Sequence, residues 1–168
     1  MTTTSNDTTY RVIKTAQCGK ICTQDKPELT YEISQHTVSN AFFIHISKNS
    51  VGGFFSNQWI PIEDIIGCIA EYGPGLPFKA LIFRSLYEST GANNHGFLAA
   101  ALRSEGLVAP YEKGIYNHTQ GDIEGFKEGL EKLAKTKPIK KAPPKKTVVR
   151  KVKPKAASKR SPRSLAKC

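Results

Sequence analysis

The chain has 168 residues, which is room for one domain of ordinary size and an extension. It carries 25 Lys and Arg against 14 Asp and Glu, a formal net charge of +11. Because it has no apolar run of about 18 residues and no basic start followed by an apolar segment, we expect neither a membrane span nor a secretory signal. Four cysteines without paired spacing argue against a disulfide framework. The expected location is cytoplasmic, at the nucleoid, for a bacterial or viral protein, and nuclear for a eukaryotic one.

The first 60 residues alternate in the manner of β-strands. Residues 1–9 are expected to be disordered. After them, β-branched and aromatic residues recur in four segments that turn-forming residues separate: 10–16, 29–34, 41–47 and 53–60. This spacing predicts an antiparallel β-meander of three or four strands.

From residue 61 the hydrophobic period changes to that of helices. Apolar residues at helical spacing predict two helices, over 61–72 and 78–90. A third helix is predicted to begin at Asn94, with Asn93 as its cap and Gly106 as its stop.

Two short strands and a final helix complete the predicted domain. The strands are predicted at 107–109 and 115–116, joined by a turn. The last helix is predicted over 119–135, where Thr119 and Asp122 resemble a capping box. Residues 10–134 are therefore expected to form a single α+β globular domain, with 10–60 β-rich and 61–134 helical.

Residues 78–119 contain a helix, a turn at "STGANN", a second helix, and a hairpin that begins "GLV". This order resembles the second helix, recognition helix and wing of the winged helix-turn-helix superfamily. The resemblance implies a winged-helix-like fold unit in which DNA binding is frequent but not obligatory. In that fold, the residues at or near a DNA groove would be those at the start of the second helix, an Arg on the next face of that helix, and a Lys at the wing tip. In this sequence these are Asn93, Asn94, His95, Arg103 and Lys113.

The charge of that second helix departs from the resemblance. Groove-binding helices normally carry several Lys or Arg, whereas "NNHGFLAAALRSEG" carries one Arg and one Glu. Asn can pair with adenine, yet Asn93 and Asn94 can equally cap a helix whose alanines allow close packing. Both interpretations stay open at this point.

The tail, residues 135–168, holds most of the positive charge. It contains 14 of the 25 Lys and Arg and no acid, so its charge is +14, and residues 1–134 have 11 − 14 = −3. Its Lys, Pro and Ala composition predicts disorder. That composition resembles the C-terminal arms of linker histones and of basic-tailed nucleoid proteins, which implies phosphate contact without base reading. The expected contacts are Lys137, Lys140, Lys141, Lys145, Lys146, Arg150, Lys151, Lys153, Lys155, Lys159, Arg160 and Arg163.

Motifs for metal binding and catalysis are weak. Cys18 and Cys22, with His36 and His45 downstream, lack the tight paired spacing of structural zinc sites. Because no nucleophile or phosphate-loop motif is present, we expect no cofactor and no enzymatic activity. An enzyme whose residues are scattered across the fold stays open as an alternative.

An aromatic segment, 49–61, contains Phe54, Phe55 and Trp59 beside two glycines. Such residues can belong to the core, stack on bases, or contact a protein partner or a second copy of the chain.

The charge pattern predicts a non-enzymatic nucleic-acid-binding protein, DNA more than RNA, whose tail supplies affinity. An RNA- or ribosome-associated factor and a protein-interaction adaptor remain the alternatives. For the tail alone, the alternatives are a solubilising extension and a nuclear-localisation signal.

Overall fold

The computed structural model describes residues 9–89 and 92–136. They form a mixed α+β domain whose N-terminal part is an antiparallel sheet of four strands in sequential order, β1-β2-β3-β4. The strands are β1 (Tyr10–Cys18), β2 (Leu29–His36), β3 (Phe42–Asn49) and β4 (Ile60–Pro61). The predicted antiparallel meander is thus confirmed.

The fourth strand is much shorter than predicted. Instead of a strand over 53–60, the chain is irregular until Ile60, where it pairs with Ile44 of β3. Gly52 and Gly53 have φ angles of 84° and 98°, which turn the chain away from extended geometry.

Helices and short strands alternate after the first sheet. The order is α1 (Ile62–Ala70), β5 (Phe78–Lys79), a 3₁₀ helix (Ala80–Leu86), α2 (Asn94–Ser104), β6 (Val108–Pro110), β7 (Asn117–Gln120) and α3 (Ile123–Lys135). Strands β5, β7 and β6 form a second, three-stranded antiparallel sheet with β7 in the centre.

The predicted helix over 78–90 is wrong in type and length. Phe78 and Lys79 pair with His118 and Asn117 in the second sheet, and this pairing fixes an extended backbone before the 3₁₀ helix. That helix ends at Leu86.

Two predictions near the hairpin also need correction. Residues 115 and 116 belong to the loop, and the second hairpin strand starts only at Asn117. Thr119 lies in β7 and is not part of a capping box. Asp122 alone caps α3, accepting a hydrogen bond from the Gly125 N–H at 2.9 Å.

Helix α2 is the central helix of the domain, and it lies at the predicted position. Leu98, Ala99, Ala101 and Leu102 are fully buried, and α2 contacts β1, β2 and β3. The small alanine side chains allow this close approach to the sheet. Gly106, at φ 78°, ends α2 as predicted.

Candidate nucleic-acid interface and the cavity beside helix α2

The side chain of Asn94 points into the domain. Only 3% of the residue is exposed, and its Oδ1 accepts a hydrogen bond from the Ser56 N–H at 2.8 Å. Its Nδ2 donates to the Ser89 carbonyl at 3.4 Å. Through Ser56, Asn94 joins α2 to the irregular segment before β4. Contact of Asn94 with a base would require breaking both of its hydrogen bonds.

Arg103 is half-buried and holds the hairpin between β6 and β7. Its Nε donates to Nδ1 of His118 at 2.9 Å, and its Nη2 donates to the carbonyls of Ile115 and Asn117 at 2.9 and 2.8 Å. The guanidinium therefore makes three hydrogen bonds within the domain, through Nε and Nη2. These bonds fix the hairpin against α2.

Asn93 and Lys113 are the exposed members of the predicted set, and His95 is half-exposed. Asn93 precedes α2 without making a side-chain capping bond to the described residues. Lys113 lies in the hairpin loop beside Gly114, which has a φ of 103°. Burial and the nearby Arg84 lower the pKa of His95, so its ring is neutral at physiological pH.

The body of α2 offers little surface for a groove. Between Asn94 and Arg103, every residue of the helix is buried or half-buried. Exposed surface remains at the N-terminal end, beside Asn93, and at the C-terminal end, beside Ser104. The fully exposed positions of α2 and its caps thus lie at the ends of the helix.

A cavity of about 310 Å³ adjoins the N-terminal end of α2, and we call it the α2 cavity. Four separate parts of the chain line it: the segment 20–22 after β1, the segment 79–81 at the junction of β5 and the 3₁₀ helix, the start of α2, and the hairpin through Tyr116 and His118.

His118 was not singled out by the sequence, yet it is the most deeply placed polar residue of the α2 cavity. It is fully buried and lies against the Phe78 ring at a centroid distance of 5.9 Å. Burial, and secondarily the Arg103 guanidinium, lower its pKa to about 4. A single His in a short strand carries no sequence signal of this kind, because its partners come from distant segments.

The three residues of the predicted aromatic contact have different surroundings. Phe54 is 94% exposed, whereas Phe55 packs against the core. Trp59 stacks on His45 and Tyr10, at centroid distances of 3.7 and 5.0 Å. Of the three, Phe54 alone is exposed.

The cysteines are free within the described ranges. Cys18 is buried and Cys22 is exposed, and burial raises the pKa of Cys18 to about 11. In residues 9–89 and 92–136 no cluster of three or more His, Cys, Asp and Glu side chains is placed to hold a metal ion.

The predicted tail contacts, from Lys137 to Arg163, lie outside the described residues. Comparison of the chain with protein-family models, curated proteins and solved structures gives no match. Of the helices in the described part, none is both long and apolar enough to cross a bilayer.

Proposed function

We propose that the protein is a non-enzymatic, DNA-associated protein whose basic tail supplies most of the affinity. The observation that carries this proposal is the division of charge: +14 over residues 135–168 against −3 over residues 1–134. Lys and Arg that neutralise phosphates release counterions, and this gain does not depend on base sequence. A near-neutral domain contributes little to it.

The arrangement of the domain supports a winged-helix-like unit within this proposal. The order α1, β5, 3₁₀ helix, α2, β6, β7 places three helical segments before a hairpin, and β5 completes a three-stranded sheet. The 3₁₀ helix stands where the resemblance calls for an α-helix. We therefore assign the DNA-facing part of the domain to the ends of these elements: Asn93, His95 and Lys113.

The contribution of these residues is a modest sequence preference. Asn93 can donate to and accept from a base edge, and a neutral His95 can do the same. Lys113 would meet a phosphate and position the domain without reading sequence. Asn94 and Arg103 are left out of the proposed contacts because they are bonded internally.

The test replaces the twelve predicted tail contacts with Gln in the full chain. We expect affinity for a random DNA duplex to fall by at least about a hundredfold at low salt, and the salt dependence to flatten from a log–log slope near −7 to one shallower than about −2. Fluorescence anisotropy at several salt concentrations measures both.

The matched control is a tail with the same composition in scrambled order. It should bind as tightly as the native tail, because counterion release depends on charge and not on order. Full affinity in the Gln variant would contradict the proposal. A marked preference for RNA over duplex DNA at equal salt would overturn the DNA assignment and favour an RNA- or ribosome-associated factor.

A further inference from the structure

Phe54 is the most exposed large apolar residue of the described part of the chain. It is 94% exposed, and Val51, in the same loop, is also exposed. Trp59 stacks on His45 and Phe55 packs against the core, so both are used within the domain. The loop between β3 and β4, residues 50–59, therefore presents one aromatic ring to solvent, and we call it the Phe54 loop.

The first half of the Phe54 loop is fixed by hydrogen bonds. Asn49 Nδ2 donates to the Gly52 carbonyl at 2.7 Å. The N–H and the hydroxyl of Ser50 both donate to the Glu28 carbonyl at 2.8 Å. The chain just before Phe54 is thus attached to the ends of β2 and β3.

The second half of the loop is fixed on the other side of Phe54. The Ser56 N–H donates to Asn94 Oδ1 at 2.8 Å, and the Asn57 carbonyl accepts from His45 Nδ1 at 3.0 Å. A loop that is already held in one conformation loses little conformational entropy when a partner covers it. The Phe54 ring is therefore exposed on a preorganised support.

The Phe54 loop lies beside the end of α2 to which the DNA contacts are assigned. Ser56 is bonded to Asn94, the first residue of α2, and Asn93 and His95 are the neighbours of Asn94 in the chain. Two residues of extended chain span at most about 7 Å, so the Phe54 Cα lies within that distance of the Ser56 Cα. A nucleic acid that contacts Asn93 or His95 therefore passes close to the Phe54 ring.

The charges around the loop suit a polyanion. Residues 49–60 include no Asp, Glu, Lys or Arg. Lys48, directly before them, is exposed and makes no ion pair with the described residues. Glu28 and Glu88 contact the loop through backbone groups. A phosphate beside Phe54 would thus find a free ammonium group at the start of the loop and no carboxylate within it.

We propose that Phe54 stacks on an unpaired base of a nucleic acid, with Lys48 placed to meet a neighbouring phosphate. Every base has a π-face, so stacking of this kind tolerates any sequence. The inference rests on the proposed DNA-associated function and deepens it. The tail supplies affinity for any duplex, and Phe54 adds a preference for sites where a base is out of the helical stack.

The experiment uses the full chain and two short duplexes of identical sequence, one of which carries a single bulged adenine. We expect the wild type to bind the bulged duplex about tenfold more tightly than the perfect one, measured by fluorescence anisotropy. Phe54→Ala should reduce this ratio to less than about twofold. Its affinity for the perfect duplex should be unchanged within about twofold, because no charge is removed.

Three further variants separate stacking from general apolar contact. Phe54→Tyr keeps a flat ring and should keep the ratio, whereas Phe54→Leu keeps apolar surface without a ring and should lose most of it. Val38→Ala is the matched control, since Val38 is 81% exposed in the turn between β2 and β3, at the other end of β3. It should leave the ratio unchanged. Both positions are exposed, so none of these changes should disturb folding.

Equal affinity of the wild type for the two duplexes, or a preference that survives in Phe54→Ala, would overturn this inference and leave tail-driven binding of the perfect duplex intact. Binding of neither duplex would overturn the proposed function together with it. Self-association that depends on Phe54, measured by analytical ultracentrifugation without any preference for the bulge, would assign the ring to a second copy of the chain and would also overturn the inference.

Discussion

The two ends of α2 use their polar groups in opposite ways. At the C-terminal end, Glu105 receives Lys14 Nζ at 2.7 Å and the Tyr31 hydroxyl at 2.5 Å, and its side chain is only 7% exposed. At the N-terminal end, Asn93 makes no side-chain capping bond to the described residues. The C-terminal end is thus closed by internal side-chain contacts, and the N-terminal end has no side-chain cap.

This difference separates residues that stabilise the domain from residues whose side chains are available to contact a binding partner. Leu107 N–H and Gly106 N–H donate to the carbonyls of Leu102 and Arg103, which satisfies the last turn of α2. Glu105 attaches this end of α2 to β1 through Lys14 and to β2 through Tyr31. The C-terminal end therefore carries stability, and binding is expected at the N-terminal end.

The largest expected effect follows from breaking the closed end. Burial and the contact with Glu105 raise the pKa of Tyr31, so its hydroxyl keeps its proton and donates to Glu105. In Glu105→Ala, Lys14 and the Tyr31 hydroxyl both lose this carboxylate, and Tyr31 retains only the longer bond to Ser104 Oγ at 3.4 Å. We expect the free energy of unfolding to fall by about 3 kcal/mol. Urea denaturation measures the change.

Glu112→Ala is the control, since Glu112 is exposed in the hairpin loop. It should change stability by less than about 0.5 kcal/mol. A small loss in Glu105→Ala, close to that of the control, would mean that the two ends of α2 do not differ in stability as described.

A smaller effect is expected from pH, and it concerns His118, which accepts a hydrogen bond from Arg103 of α2. The pKa of His118 is lowered from 6.5 to about 4 by burial, and secondarily by Arg103. Between pH 4 and pH 6.5, His118 is protonated in the unfolded chain and neutral in the folded domain. Its contribution to the free energy of unfolding is therefore complete above pH 6.5 and is lost as the pH falls toward 4. We expect the free energy of unfolding to be about 2 kcal/mol lower near pH 5 than near pH 7.

Denaturation of the wild type and of His118→Gln at both pH values tests this expectation. The variant should lose most of the pH dependence, whatever its stability at neutral pH. The lowered pKa of His95 acts in the same direction, so His95→Gln should remove only a further part. A wild-type stability that is flat between these pH values would show that His118 is not held neutral by the fold.

The sequence predicted the elements that depend on local pattern and missed those that depend on pairing. The strands at 10–16 and 29–34 and the helix at Asn94 are strongly patterned, and each was confirmed. The strand at Phe78 was read as a helix because its partner, His118, is 40 residues away in the sequence. Local spacing does not contain that pairing.

The candidate site shows the same limit. Asn93, Asn94 and His95 are consecutive, yet the fold buries Asn94, exposes Asn93 and leaves His95 half-exposed beside the cavity. Lys20, Lys79 and His118 come together from three segments, so no local motif could have revealed them. Arg103 was expected to face outward, but the hairpin supplies three acceptors for it within the domain.

The smallest expected effect on DNA affinity comes from the double variant Asn93→Ala, His95→Ala in the full chain. Neither substitution removes a charge, because the lowered pKa of His95 keeps its ring neutral. Affinity for random duplex DNA should therefore stay within about twofold of the wild type. The preference among DNA sequences, measured by selection from a random duplex library, should disappear.

Asn94→Ala is the contrasting variant. It leaves the Ser56 N–H without its acceptor, so it should reduce stability by about 1–2 kcal/mol and leave the preference of the folded protein intact. A double variant that keeps the wild-type preference would mean that the N-terminal end of α2 does not read bases, and loss of preference in Asn94→Ala alone would mean that Asn94 turns outward to DNA after all.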